Sequence, residues 1–203
     1  MIKQLATLGA IALFAMPITA QAAPEIGQPA PEITATDTAG NPFKLSDHKG
    51  DIVVLEWTNH ACPFVKKHYG SNNMQNTQKT AHEKGVKWVS IVSSAKGNQG
   101  HVTAEEANTI TTEQGATITA KILDESGEIG KLYDAKTTPH IYIVDKDGIL
   151  AYQGAIDSKP SPNPKTIEGA ENYALSAIND LTAGKPVRTP QTAPYGCSVK
   201  YAH

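Results

Sequence analysis

Apolar and polar positions along the chain follow two rhythms. Short runs of β-branched and aliphatic residues occupy positions 52–55, 86–92, 122–124, 141–144 and 149–152. Runs of this length and composition predict buried strands. Residues 63–69, 72–84, 103–113, 126–133 and 166–182 predict helices, with Gly85 as the C-cap of the second and Thr103, followed by Glu105 and Glu106, opening the third. The last would bury a face made of Ala170, Tyr173, Ala174, Ala177, Ile178 and Leu181. Upstream, residues 30–36 and 42–45 flank a turn and predict a small N-terminal β-hairpin, and 46–50 a loop or short helical turn. The run SSAKGNQG (93–100) is a loop by composition, and Asp147-Gly148 between two apolar runs predicts a second hairpin. Strands alternating with helices, then a hairpin and a final helix, give an α/β fold with a mixed central sheet flanked by helices.

One junction in this pattern carries chemistry. The strand run 52–55 passes through the polar turn 58–61 to Cys62, which Pro63 follows at once. Proline suits the first turn of a helix, where its missing N–H leaves no bond unmade. Cys62 therefore falls where a buried strand ends and a helix begins. There the helix dipole and free backbone N–H groups favour a thiolate. His60 and Lys66 nearby add positive charge, whereas burial by Trp57 and Phe64 would oppose ionisation. At a strand–helix turn partial exposure is expected, so the pKa should fall below the ordinary value. The alternative is an inert, buried small hydrophobe.

Composition narrows the setting. With 203 residues, 39% hydrophobic and a net charge of −2, the chain suits one globular domain and offers no basis for a nucleic-acid or anionic-membrane partner. Residues 1–22 combine Lys3, a mostly apolar run and small residues around Ala20 and Ala22, the pattern of a cleaved signal peptide. No stretch is long enough for a comfortable membrane span. The expected organisation is a signal peptide over 1–22, one domain over 23–184, and a Pro-rich tail over 185–203 carrying Cys197. The expected address is the periplasm or the medium, where disulfides persist.

The runs EWTNHACPFVKKHY (56–69), TPH (138–140) and YGCSVKY (195–201), in this element order, resemble exported redoxins of thioredoxin-like fold, the branch that includes alkyl hydroperoxide reductase/thiol-specific antioxidant proteins. The resemblance spans about residues 30–181. It implies thiol-dependent oxidoreductase activity and a cis Thr138–Pro139 bond lying against Cys62. The departures matter as well. Val65 stands where a thioredoxin has its second cysteine. Leu55 and Asn59 stand where a peroxiredoxin has its proline and hydroxyl residue, and the chain's only arginine is Arg188, in the tail.

Cys197 separates the remaining readings. As a resolving thiol it would complete a redox pair with the nucleophile Cys62, with Thr138, Pro139 and His60 lining the substrate groove. The substrate would be a protein disulfide or a peroxide, the electron donor a thiol, and no cofactor is needed. As one end of a permanent Cys62–Cys197 bridge it would close a loop worth about 5 kcal/mol and leave a non-catalytic binding module. With His60 and His140 the two cysteines would instead form a copper- or zinc-handling site, although their spacing matches no compact metal motif. His48, His68, His82, His101 and His203 are expected on solvated faces, and Trp57 and Trp88 in the core.

Overall fold

The computed structural model describes residues 23–202, so the stretch 1–22, where a signal peptide is expected, lies outside the described residues. In chain order it places β1 (Thr34–Thr36), β2 (Pro42–Lys44), β3 (Val53–Trp57), α1 (Pro63–Gly70), α2 (Asn73–Glu83), β4 (Lys87–Val92) and α3 (Ala104–Glu113). There follow β5 (Ala120–Leu123), α4 (Glu128–Leu132), β6 (Thr137–Thr138), β7 (His140–Val144), β8 (Leu150–Gly154), α5 (Tyr173–Thr182) and β9 (Cys197–Ser198). The central sheet has the order β5-β4-β3-β7-β8. Strand β3 runs parallel to β4 and antiparallel to β7, which makes the sheet mixed, as expected. The β1–β2 hairpin is separate from it.

β3 lies in the middle because every one of its side chains can be buried. Alternation along the strand sends Val53, Leu55 and Trp57 into one layer and Val54 into the other. Trp57 packs against Tyr133 and Tyr142, at centroid distances of 5.2 and 5.1 Å. In the opposite layer Val54, Cys62, Val65, Met74, Trp88 and Ile178 form a core continuous with α1, α2 and α5. Full burial of each large aliphatic side chain contributes about 1.5–3 kcal/mol. Both tryptophans are core residues, as expected.

Local signals fix most helix ends. Thr103 and Glu106 form a reciprocal capping box at α3. α2 ends in a Schellman turn, with Gly85 at φ +76° and Val86 N–H donating to Ala81 O. The last helix departs from expectation. Instead of running from 166 to 182 it begins at Tyr173, after a separate 3-10 turn at Pro164–Ile167. Gly169 at φ +71° interrupts the chain, and Asn172 caps the new start by accepting from Leu175 N–H at 2.9 Å. The buried face of Ala174, Ala177 and Ile178 survives the shortening.

Candidate redox site

The turn before Cys62 is built by Asn59. Its backbone oxygen accepts from Cys62 N–H at 3.0 Å, and its side-chain oxygen accepts from Ala61 N–H at 2.9 Å. Its amide nitrogen donates to Gln99 O at 3.1 Å, which ties the turn to the 93–100 loop. Cys62 is then the extended N-cap of α1, with Pro63 opening the helix.

A second loop meets this junction. The Thr138–Pro139 bond is cis, and the Cys62 thiol donates to Thr138 O at 3.2 Å. Across the two-residue ladder of β6 and β9, Thr138 lies opposite Cys197. The tail thus brings Cys197 to the side of Cys62, packed against the same apolar cluster. Both cysteines are free.

The pair is electrostatically unequal. Burial pushes the Cys62 thiol up, but hydrogen bonds from the Cys197 thiol, Val65 N–H, Thr138 and Cys197 N–H outweigh it and hold Cys62 below its ordinary value. The Thr138 hydroxyl is buried and has no hydrogen-bond partner while Cys62 keeps its proton, which leaves it free to donate to the thiolate once Cys62 ionises. Cys197 is pushed up to about 11 by burial, by its hydrogen bond to Cys62 and by the Cys62 charge. Cys62 is accordingly the ionising sulfur and Cys197 the one that keeps its proton.

Two expectations about Cys62 need correction. It is fully buried, not partly exposed, because the tail lies across it. The largest contributions to its acidity are hydrogen bonds, not the charges of His60 or Lys66. His60 lines an open groove of about 820 Å³ together with Lys66, Tyr69, Asn72 and Gln75. Burial, then Lys121 and Lys66, keep its own pKa low.

His140 is also a core group. Its Nδ1 accepts from Lys136 N–H at 3.3 Å and lies 3.2 Å from Tyr142 Oη, and burial depresses its pKa to about 3. Among the described residues no three His, Cys, Asp or Glu side chains converge as a metal-binding group. Arg188 sits at the start of the tail, paired with Asp180 at 3.1 Å and donating to Ser176, both on α5.

Several polar groups had no clear signal in the sequence. His68, expected on a solvated face, is buried: its Nδ1 accepts from Asn73 Nδ2 at 2.8 Å and its Nε2 faces Tyr195 Oη at 3.1 Å. Lys67 Nζ is wholly buried and donates to Asp157 Oδ2 at 3.1 Å and to Lys159 O at 2.8 Å. Glu56, on the helix side of β3, collects donors from Trp88 Nε1 (2.8 Å), Ser90 (3.2 Å) and Tyr69 (3.2 Å), and burial raises its pKa. An acid inside an otherwise apolar strand run was the one visible hint of it.

Gly196 makes the tail's approach feasible. It sits at φ +142°, and a Cβ built there would stand 2.1 Å from Thr138 O, a backbone atom that cannot swing aside. Gly196→Ala should therefore unseat β9. The expected result is a fall of about tenfold or more in the rate at which an added oxidant closes the Cys62–Cys197 disulfide. Non-reducing electrophoresis after timed quenching checks it, and an unchanged rate would mean that the ladder does not position Cys197.

Comparison with known proteins follows the same lines. A hypothetical protein from Sinorhizobium meliloti 1021 shares the fold at 22% identity and a TM-score of 0.75, over 88% of this chain and 95% of that one. An uncharacterized conserved protein from Geobacillus kaustophilus matches at 28% identity and a TM-score of 0.73, over 93% and 98%. A protein from Chlorobium tepidum, assigned as a thiol:disulfide interchange protein DsbE, matches at 23% identity and a TM-score of 0.53, over 64% and 85%. No curated protein sequence matches the chain. The expected thioredoxin-like fold is present, and since residues 26–153, from before the hairpin to the end of the sheet, match the AhpC/TSA family, the chain belongs to that family.

Proposed function

We propose that the chain is an exported thiol-disulfide oxidoreductase of redoxin type, with Cys62 as nucleophile and Cys197 as resolving thiol. The observation that carries this reading is the placement of Cys197 opposite Thr138, beside a Cys62 whose acidity is raised while its own is suppressed. The Cys62 thiolate attacks one sulfur of a substrate disulfide, forming a mixed disulfide and releasing the other sulfur as a thiolate, which takes up a proton. Cys197 then loses its proton and attacks the Cys62 sulfur. The second substrate thiolate leaves, and a Cys62–Cys197 disulfide remains. Two electrons and two protons from an external dithiol restore the pair. Thr138 and Pro139 shape the floor on which the exchange occurs. Export rests on the pattern of residues 1–22, and the 185–203 tail is read as part of the working domain.

A disulfide fits this site better than a peroxide. Polarising an O–O bond needs donors aimed at its oxygens, yet the Asn59 side chain is engaged with Ala61 and Gln99, and Arg188 is held at Asp180. Stopped-flow oxidation of the reduced protein by hydrogen peroxide should run within about tenfold of a free thiolate of the same pKa. A rate orders of magnitude higher would restore the peroxidase reading.

Trapping tests the proposal itself. Offered glutathione disulfide, Cys197→Ser should accumulate a mixed disulfide on Cys62, and Cys62→Ser should accumulate none. If Cys62 traps nothing and the native Cys62–Cys197 bridge resists reduction, the protein is a binding module with a structural disulfide.

A further inference from the structure

The proposed exchange requires an open route to Cys62, yet Cys62 has no exposed surface. Packed beside it is the segment 192–201, which crosses the site as a strap and sets Cys197 against the cluster that holds Cys62. On one side Thr192 Oγ1 accepts from Ala155 N–H at 2.9 Å, and Thr192 N–H donates to Gln153 O at 3.1 Å. On the other, Val199 N–H donates to Lys136 O at 3.1 Å and the Tyr201 hydroxyl to Ala135 O at 2.8 Å. Between these moorings the strap's one strand pairing is the two-residue ladder of β9, and Pro194 supplies no N–H. Such a segment belongs to the low-stability end of a fold.

Tyr195 is the exception within the strap. Its hydroxyl donates to Asp157 Oδ1 and accepts from Lys67 Nζ at 3.3 Å. Because Asn73 Nδ2 can only donate, His68 Nδ1 is an acceptor and its Nε2 carries the proton, which it gives to Tyr195 Oη at 3.1 Å. The hydroxyl therefore uses all of its hydrogen-bonding positions, on charged or buried partners. The ring packs on Phe64 at 5.8 Å and under Lys67 Nζ at 5.3 Å. Phe64, Lys67 and His68 all belong to α1, the helix that Cys62 caps. Tyr195 thus ties the strap, two residues before Cys197, to the helix that carries the nucleophile.

We infer that Tyr195 is a positioning residue that latches the 192–201 strap over Cys62, so that the latched form pairs the two cysteines and the unlatched form admits substrate. Its purpose in the cycle, though not its existence, rests on the redox reading above. Latching raises the local concentration of Cys197 at Cys62 and closes the site in the same movement. The charged partners do not depend on the latch: when Tyr195 leaves, Lys67 and Asp157 keep each other and Lys159 O. Opening therefore exposes no unpaired ion.

Tyr195→Phe keeps the ring and removes only the hydroxyl. A hydrogen bond to charged partners is worth about tenfold or more in the ratio of latched to open strap. In the full-length reduced chain, alkylation of Cys62 by iodoacetamide, followed by peptide mass spectrometry, is expected to rise about tenfold. The Cys62–Cys197 couple, equilibrated against dithiothreitol, should shift about tenfold towards the dithiol, which is about 30 mV for two electrons. Circular dichroism establishes that both proteins are folded. A merely structural phenol would lower the melting temperature and move neither thiol readout. Unchanged alkylation and potential in a folded Tyr195→Phe protein would overturn the latch and leave the redox pair standing. Faster alkylation in a protein that forms no reversible Cys62–Cys197 disulfide would uphold the latch and remove the proposed function.

Discussion

Replacing Lys67 with methionine is expected to lower the free energy of unfolding by about 3–5 kcal/mol, the usual cost of leaving one member of a buried ion pair alone. Neither partner reaches water: the side chains of Lys67 and Asp157 are 0% and 2% exposed. Methionine fits the aliphatic stem, so the loss is electrostatic and not one of volume. Asp157 would keep Lys159 N–H and the Tyr195 hydroxyl on Oδ1, but its Oδ2 would face no cation. Urea denaturation measures the effect as a fall in midpoint at unchanged slope. The double variant Lys67→Met/Asp157→Asn should recover a good part of the loss, because it removes the stranded charge. A single variant within about 1 kcal/mol of wild type would mean that water solvates Asp157 and that the pair is not a buried one.

The contrast between Cys62 and Lys67 shows what the sequence made legible. The Cys62 junction follows from neighbours in the chain: an apolar strand run, a polar turn and a proline at the first helical position. The capping box at Thr103 and Glu106 and the Gly85 stop are of the same local kind, and all of them appear where expected. The cis Thr138–Pro139 bond came through the resemblance alone and is present. Lys67 reads locally as a solvated helix position next to Lys66. Its burial is decided by Asp157 and Tyr195, which arrive from far along the chain. His68 was misread for the same reason. The burial of Cys62 itself was hidden likewise, because its cover is the strap and not its own helix. At the other end, local chemistry was available but underweighted: Gly169 and Asn172 break the pattern 166–182 that apolar spacing would have carried through. Periodicity located the buried face, and a turn residue decided where the helix began.

Acidification is expected to destabilise the fold steeply between about pH 6.5 and 4, with the loss beginning well above the range in which ordinary carboxylates protonate. His68 and His140 are buried, and burial lowers their folded pKa values to about 4 and about 3. An unfolded histidine takes up its proton near pH 6.5, so across this window the unfolded chain binds more protons than the folded one. Stability therefore rises with pH there and falls as pH drops. At pH 4 each histidine contributes a loss on the order of 3 kcal/mol, a large fraction of a typical domain's stability. Glu56 acts with the opposite sign: burial raises its pKa, so the folded state holds its proton more tightly and regains part of the loss in acid. Geometry explains why the histidines resist protonation. A proton on His68 Nδ1 would confront the Asn73 amide, and one on His140 Nδ1 would confront Lys136 N–H. Urea midpoints at pH 7, 5.5 and 4 measure the slope. His140→Asn, whose side-chain oxygen can still accept from Lys136 N–H, should flatten it by roughly half, since one of the two groups no longer titrates. A stability that stays level from pH 6.5 to 4 would show that both imidazoles are solvated. The network holding Tyr195 could then not be the closed one that the latch requires.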